Sequence, residues 1–396
     1  MRKKKADMLI LNARELLTIT NSEGRPKIKE ELRELHIIKN GALAIKGGNI
    51  VDVGETGVIV DRWFSKSVID AWDHVVMPGF VDCHTHLIFA GSRENGEGIL
   101  KTVKDTREAS GESLFTEALL RLGKLLKYGT TTVEIKSGYC LSCREIEMLS
   151  IISFLGRNRK IDIISTFLGA HVFPEDQPKE LYMEDLMWMI KEVSSKNLAK
   201  YCDVFCEHGA FSIMETDAIL KKAVGCGMKI KLHAGQLNDM GGVELGINYG
   251  ATSIDHLDFV SDEGIRHLAQ SNTIGVLLPA CSFHLMINHY APARKMIDAG
   301  VKVALATDFN PGTAPTISMQ MVIALACRQM KMTPAEAITA STINSAYAIG
   351  MADKVGSLEV GKQADIIILD IPNYQQLPYW FGENLVETTI KKGEII

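Results

Sequence analysis

The chain reads as a (β/α)₈ TIM barrel with a small β-sandwich-like domain formed from both of its ends. Three observations lead there. Apolar strands alternate with amphipathic helical stretches through the middle of the chain, eight times over. Polar, chemistry-bearing residues recur where those strands end. The two ends share another style, short alternating strands with glycine turns. Residues 1–72 and 351–396 are assigned to the small domain and 73–350 to the barrel.

Bulk numbers agree. The chain has 396 residues, enough for a barrel of about 250–300 residues with a smaller attachment. Hydrophobic content is 46% and charged content 23%, which predicts a large packed core. A net charge of -5 gives no reason to invoke nucleic acid. The charge run Arg2-Lys3-Lys4-Lys5 reads as a solvated terminus, since no apolar segment follows it to make a targeting signal. No apolar run reaches membrane-spanning length, so a cytoplasmic protein acting on a small molecule is expected, without membrane or nucleic-acid partners. The sequence leaves room for a homodimer. Eight scattered cysteines read as reduced thiols, and Cys140-x-x-Cys143 has no second pair to complete a thiolate site.

In chain order, Met8–Thr20 and Gly41–Gly54 form the first small-domain strands, with a tight turn at Lys46-Gly47-Gly48-Asn49. Barrel strands follow at Val75–Val81 (broken at Pro78-Gly79), Thr130–Lys136, Asp162–Leu168, Tyr201–Cys206, Lys229–His233, Ala251–His256, Thr273–Leu278 and Val301–Thr307. Helical patterns between them include Ser113–Tyr128, Glu184–Val193, Glu215–Gly225 and Ile265–Ser271. Gly356–Asp370 and Val386–Ile396 return to the small domain. An open doubly wound sheet is the alternative, but no glycine-rich phosphate loop follows the first strand.

The barrel's active face lies at the C-terminal ends of its strands. There the sequence places His84-Thr85-His86, Glu134 and Lys136, Tyr139, His171, Glu207-His208, His233-Ala-Gly-Gln236, Asp255-His256 and Thr307-Asp308-Phe309-Asn310. Side chains two apart in an extended segment share a face, so His84 and His86 project together. With His233 and Asp308 they make a nitrogen and oxygen set for one divalent metal ion, Zn2+ or Fe2+/Fe3+. Such an ion makes water a usable nucleophile at neutral pH. Asp308 can take the proton and His256 can orient water or stabilise developing charge. Asp308 could instead merely cap a helix starting at Pro311. Lys136 is read as a structural lysine. His36, His74, His208, His267, His284 and His289 have little or no strand-end argument.

The string Pro78-Gly79-Phe-Val-Asp82-x-His84-Thr-His86, with a later strand-end His and Asp, resembles the amidohydrolase superfamily. More narrowly, several strings resemble the imidazolonepropionase family, ring-opening hydrolases of histidine degradation. They include Gly91-Ser-Arg93-Glu-Asn95, Val133-Glu-Ile-Lys-Ser-Gly-Tyr139, Thr166-Phe-Leu-Gly-Ala-His171 and Ala304-Leu-Ala-Thr-Asp308-Phe-Asn-Pro-Gly312. The resemblance spans nearly the whole chain. It implies metal ligation by His84, His86, His233 and Asp308, and catalytic roles for Asp308, His256 and Gln236. It implies substrate contacts from Arg93, Tyr139, His171, Gln236, Asn310, Gly312 and Thr313. Arg93 offers a fork for a carboxylate, Tyr139 and Asn310 suit a planar ring, and Gly312–Thr313 is read as a helix start open to an anion. Two departures stand out. The segment after Asn95 is shorter than the family's, and Gln236 stands where many relatives carry Glu. A neutral amide cannot act as a base. The competing functions are a related deaminase or cyclic-amide hydrolase, and a non-enzymatic scaffold that has no need of four metal donors.

Overall fold

A computed structural model describes residues 3–157 and 160–396; Arg2 of the basic run lies outside them. Eight parallel strands make the barrel sheet: Phe80–Asp82, Thr130–Lys136, Asp162–Ala170, Tyr201–Cys206, Lys229–Ala234, Ser253–His256, Ile274–Leu277 and Lys302–Leu305. Each pairs in parallel with the next. The strands read as Val/Ile/Thr-rich runs because both faces are covered, and every residue of Thr130–Lys136 is buried. The ring closes just beyond the strand ends, through a parallel bridge between Thr85 and Phe309.

Helices wrap the outside for local reasons. Gly111–Lys127 buries Leu114, Ala118, Leu122 and Leu125, one stripe at helical spacing, and the Ser110 side chain caps its first turn. Ile213–Gly225 and Pro334–Ala340 each start with a full capping box, Ser212 with Glu215 and Thr333 with Glu336. Among the described residues, no helix is long and apolar enough to cross a membrane.

The chain ends meet in a second sheet. From one edge it runs Glu394–Ile395, Val386–Lys391, Ile366–Leu369, Val75–Pro78, Met8–Leu17, Ile37–Lys46, Asn49–Glu55, with Ser67–Asp70 beside Met8–Leu17. The turn at Gly47-Gly48 has both residues at positive φ, as a two-residue hairpin with matching twist requires. Lys4–Lys5 are exposed, as a solvated run should be, and they pair with Trp63–Phe64 in a two-stranded ribbon. Ala6, Leu9, Ala42, Ala44, Ile59 and Trp63 form a small core of their own on this side.

The expected first strand, Val75–Val81, is two strands in two sheets. Val75–Pro78 sits centrally in the small domain, antiparallel to Ile366–Leu369 and parallel to Met8–Leu17. Pro78 has no N–H to extend that ladder. After Gly79 the chain crosses over, and Phe80–Asp82 joins the barrel. Gly79 is obligatory for steric reasons, since a Cβ there would lie 2.4 Å from both Cγ2 and Oγ1 of buried Thr131. Gly79→Ala should therefore destabilise by about 1–3 kcal/mol through overpacking. Gly123→Ala, at an open site inside a helix, should stabilise by about 0.5–1 kcal/mol. Denaturant unfolding of both variants tests the pair; equal effects would remove the crossover argument.

Candidate metal centre and active site

His84, His86 and Asp308 converge because the seam that closes the barrel is made of them. The Asp308 N–H donates to the His84 carbonyl (3.1 Å) and the His86 N–H to the Phe309 carbonyl (2.8 Å). Their side chains then meet inside the mouth. The Nε2 atoms of His84 and His86 are 3.2 Å apart, and Asp308 Oδ1 lies 3.5 and 3.4 Å from them. The His233 ring, from the fifth strand, centres 4.5 Å from that of His84 and 5.5 Å from that of His86.

These donors fit a cation. His84 Nδ1 lies 2.6 Å from Asp255 Oδ2 and His233 Nδ1 lies 3.1 Å from Asp203 Oδ1. A carboxylate only accepts, so each Nδ1 holds the proton and each Nε2 presents a lone pair inward. His233 Nε2 is buried with no hydrogen-bond partner, the state of a donor atom shaped for an ion. Burial first, then neighbouring positive charge, holds His84 and His86 well below the ordinary histidine pKa, so both are neutral at pH 7, as metal donors must be. Groupings compact enough for one ion include His84 with His86 and Asp308, and His84 with His233 and His256.

Beneath the histidines lies a buried ionic layer. Lys136 Nζ is 2.6 Å from Asp203, 3.2 Å from Glu134 and 3.5 Å from Asp255. Lys231 Nζ is 2.7 Å from Glu134 and donates to the Cys83 carbonyl at 3.0 Å. All five side chains are fully buried. Burial opposes the Lys136 charge, but its three carboxylates, Asp203 foremost, raise its pKa overall. Three carboxylates against two ammonium groups leave one negative charge, and Asp308 adds a second. One divalent cation would neutralise the whole.

Above the cluster opens a cavity of about 220 Å³. His86, His233, His256 and Asp308 form its floor, and Arg93, Tyr139, His171, Gln236, Asn310 and Thr313 its walls. The His171 ring stacks on His86 with centroids 5.1 Å apart, and its Nδ1–H donates to the Gly138 carbonyl, 3.1 Å away. Arg93 packs its guanidinium onto Gly312, where a Cβ would stand 2.0 Å from Cζ, so this close approach requires glycine. Arg93 Nε is buried without a partner. The short segment after Asn95 runs straight into helix Ile99–Glu108, whose first residue lines the cavity.

His256 and Asp308 both adopt left-handed backbone conformations, φ 82° and 56°. Non-glycine residues pay strain there, about 1–3 kcal/mol each, and such outliers concentrate at functional sites. Burial pushes His256 down to about 3, leaving it a neutral imidazole, and raises the Asp308 carboxyl.

Two expectations about the last loop need correction. No helix begins at Pro311: the next one is Met319–Gln329, capped by Ser318. Asp308 is therefore no helix cap, and Gly312–Thr313 is no helix start. Their N–H groups are taken by Asn310 Oδ1 at 2.8 and 2.7 Å, a local side-chain turn that outcompetes the helix. Asn310 Nδ2 donates to the Asp308 carbonyl and Thr313 Oγ1. Every polar atom of Asn310 thus serves its own loop. His208 is exposed and outside the cavity. Sequence reasoning passed over Asp203, Lys231 and the apolar wall residues Phe205 and Leu285. A signal existed for the first two: each is a charged residue inside an apolar strand, two positions before a cavity-lining residue.

The family pattern described as the amidohydrolase family matches residues 75–396. The chain is 46% identical to the imidazolonepropionase of Geobacillus kaustophilus (strain HTA426), over 98% of this chain and 97% of that one. It is 42% identical to the imidazolonepropionase of Alkaliphilus oremlandii (strain OhILAs), over 98% of each. Among solved structures it resembles an adenosine deaminase from Xanthomonas campestris with bound zinc, with TM-score 0.77, 19% identity, and 100% of this chain and 93% of that chain covered. It also resembles E. coli guanine deaminase, with TM-score 0.76, 17% identity and 98% of each chain covered. At these identities the structural likeness speaks for the fold alone.

Asp255→Asn keeps size but weakens the hold on His84. Metal affinity, measured by chelator competition, should fall about 10–100-fold. Unchanged affinity would confine Asp255 to charge balance.

Proposed function

The chain belongs to the amidohydrolase family, and from that premise we propose that it is a hydrolase of a cyclic C–N bond, opening the ring of 4-imidazolone-5-propanoate to N-formimidoyl-L-glutamate. The observation that supports this substrate most directly is Arg93. Its guanidinium lies on Gly312 at the wall of the cavity, with a buried, unpartnered Nε, above a cluster of three histidines and an aspartate. A ring bearing a carboxylate matches that pair of features, the fork for the carboxylate and the cluster for the ring. The fold by itself hosts other hydrolyses and does not choose among them.

His84, His86, His233 and Asp308 would hold one divalent ion, and nitrogen and oxygen donors without sulfur suit zinc or iron. When bound, the ion supplies a Lewis acid that lowers the pKa of water toward neutrality. The chain's own groups do the rest. Water adds across the ring amide: its oxygen bonds to the carbonyl carbon, that carbon's bond to nitrogen breaks, and the nitrogen gains a proton. Asp308, whose pKa burial raises, is placed to accept the proton from water and pass it to the departing nitrogen. His256, neutral through burial, can donate one ring N–H to the oxygen on which charge develops. Gln236, an amide, orients substrate without proton transfer. Tyr139 is buried beside Arg93 and keeps its phenol proton as a donor, because burial raises its pKa. Asn310 holds the loop that seats Arg93, a positioning role.

Mass-spectrometric identification of the product from freshly made imidazolone propanoate tests the activity; an unchanged substrate with metal-loaded protein would reject it. His256→Ala should lower kcat about 10²–10⁴-fold with metal content retained. Loss of metal instead would make His256 a ligand. Arg93→Ala should lower kcat/KM about 10²-fold or more, with Arg93→Lys between it and wild type. An imidazolone lacking the carboxylate should lose little further activity in Arg93→Ala. Equal losses on both substrates would make Arg93 structural.

A further inference from the structure

Cys281 has no part in the scheme above, yet it stands against it. It lies in the short helix Pro279–His284, one turn past the seventh barrel strand, as a free thiol only 2% exposed. One ligand atom each of Cys281, His256 and Asp308 lie within 4.8 Å of one another. That spacing suits a single ion, because two metal–ligand bonds of roughly 2.0–2.3 Å bridge it. A second feature is that His256 keeps a free donor atom: its Nδ1 is buried with no hydrogen-bond partner, on a residue 2% exposed. The donor set differs in kind from that of His84, His86 and His233. It contains sulfur, and soft sulfur selects thiophilic cations over hard ones.

We propose that His256, Cys281 and Asp308 form a second cation subsite, which takes a thiophilic divalent ion such as cadmium and thereby stops turnover. The inference rests on the reading of Asp308 as a ligand of the first ion, since its carboxylate would bridge the two. Access runs through the cavity. Gln236 lines it, and its Nε2 lies 3.3 Å from the sulfur, so this amide stands between the cavity and the thiol. On binding, a cadmium–sulfur bond forms, the S–H bond breaks and the proton leaves to solvent; no oxidation is involved. Inhibition follows because the second ion occupies His256 and one side of Asp308, the two groups assigned to charge stabilisation and proton transfer.

The test adds cadmium chloride to protein already loaded with one equivalent of zinc. Wild type should take up one further equivalent, show the ultraviolet thiolate-to-cadmium band and lose at least 90% of its turnover. Cys281→Ser should keep the first equivalent but lose the band, the second equivalent and most of the inhibition. Cys281→Ala serves as a second variant if serine disturbs folding. Cys143, the exposed thiol, is replaced by serine throughout so that it cannot supply the signal. A band that persists without Cys281, no second equivalent in wild type, or full turnover with the second equivalent bound would each overturn the proposal. The first equivalent reports the Asp308 reading separately. If it fails to bind in wild type, that reading falls; if only the second fails, the subsite falls alone.

Discussion

The barrel closes through backbone hydrogen bonds made by its own candidate ligands, and the rest of the site depends on that seam. The first strand is only Phe80–Asp82 and the last only Lys302–Leu305, and neither pairs the other along its length. Closure falls instead to the residues just beyond them, His84 to His86 against Asp308 and Phe309. Asp82 reinforces it from below: its carboxylate accepts from the Thr307 N–H at 3.1 Å and from Thr307 Oγ1 at 2.6 Å. Burial pushes Asp82 up to about 7 against those stabilising bonds. A shift of the seam by a few tenths of an ångström moves three donors at once. An ion held by all three would conversely tie the barrel's two ends together, so that binding and closure would stabilise each other.

The ionic layer beneath makes sense only with this seam in place. Replacing a buried salt-bridged set by well-packed apolar residues is often neutral or stabilising, so stability alone gives weak grounds for Glu134, Lys136, Asp203, Lys231 and Asp255. Their geometry gives a better one. Asp203 and Asp255 each divide themselves between a lysine and the Nδ1 of a histidine. They fix which nitrogen faces the cavity, while the lysines keep two carboxylates so close from repelling each other. The layer therefore joins the interiors of four strands into one oriented, nearly neutral platform for a cation.

How far the sequence reaches is clearest strand by strand. Near-continuous apolar runs and their polar ends place seven barrel strands and the end of the first, because parallel strands covered on both faces leave a strong local signal. The His-x-His spacing places two donors on one face for the same reason. What is lost is whatever depends on distant partners. Val75–Val81 reads as one strand because its apolar run is continuous; only pairing with Ile366–Leu369 on one side and Thr130–Lys136 on the other divides it. Gly312–Thr313 reads as a helix start because Asn310, two residues earlier, gives no sign in sequence that its side chain will claim their N–H groups. Lys231 reads as one charged residue in a strand, and its meaning arises from Glu134, nearly a hundred positions away.

The left-handed conformations of His256 and Asp308 draw these strands together. His256 ends the strand Ser253–His256, and Asp308 lies three residues past the strand Lys302–Leu305, on the seam that closes the barrel. At Asp308 the turn is held by the N–H bond to His84. After His256 it is held by Leu257, itself at φ 63°, whose N–H reaches the Ala234 carbonyl at 3.1 Å. Strain of this kind persists only where surrounding bonds overdetermine it. One anchor is the carbonyl of His84 itself, just past the first barrel strand, and the other is that of Ala234, the residue after His233. The two groups assigned to proton transfer and charge stabilisation are thus aimed by the backbone of the two segments that carry the candidate metal donors. Holding the ion and aiming the acid–base groups are one structural constraint, met by one set of hydrogen bonds at the barrel's mouth.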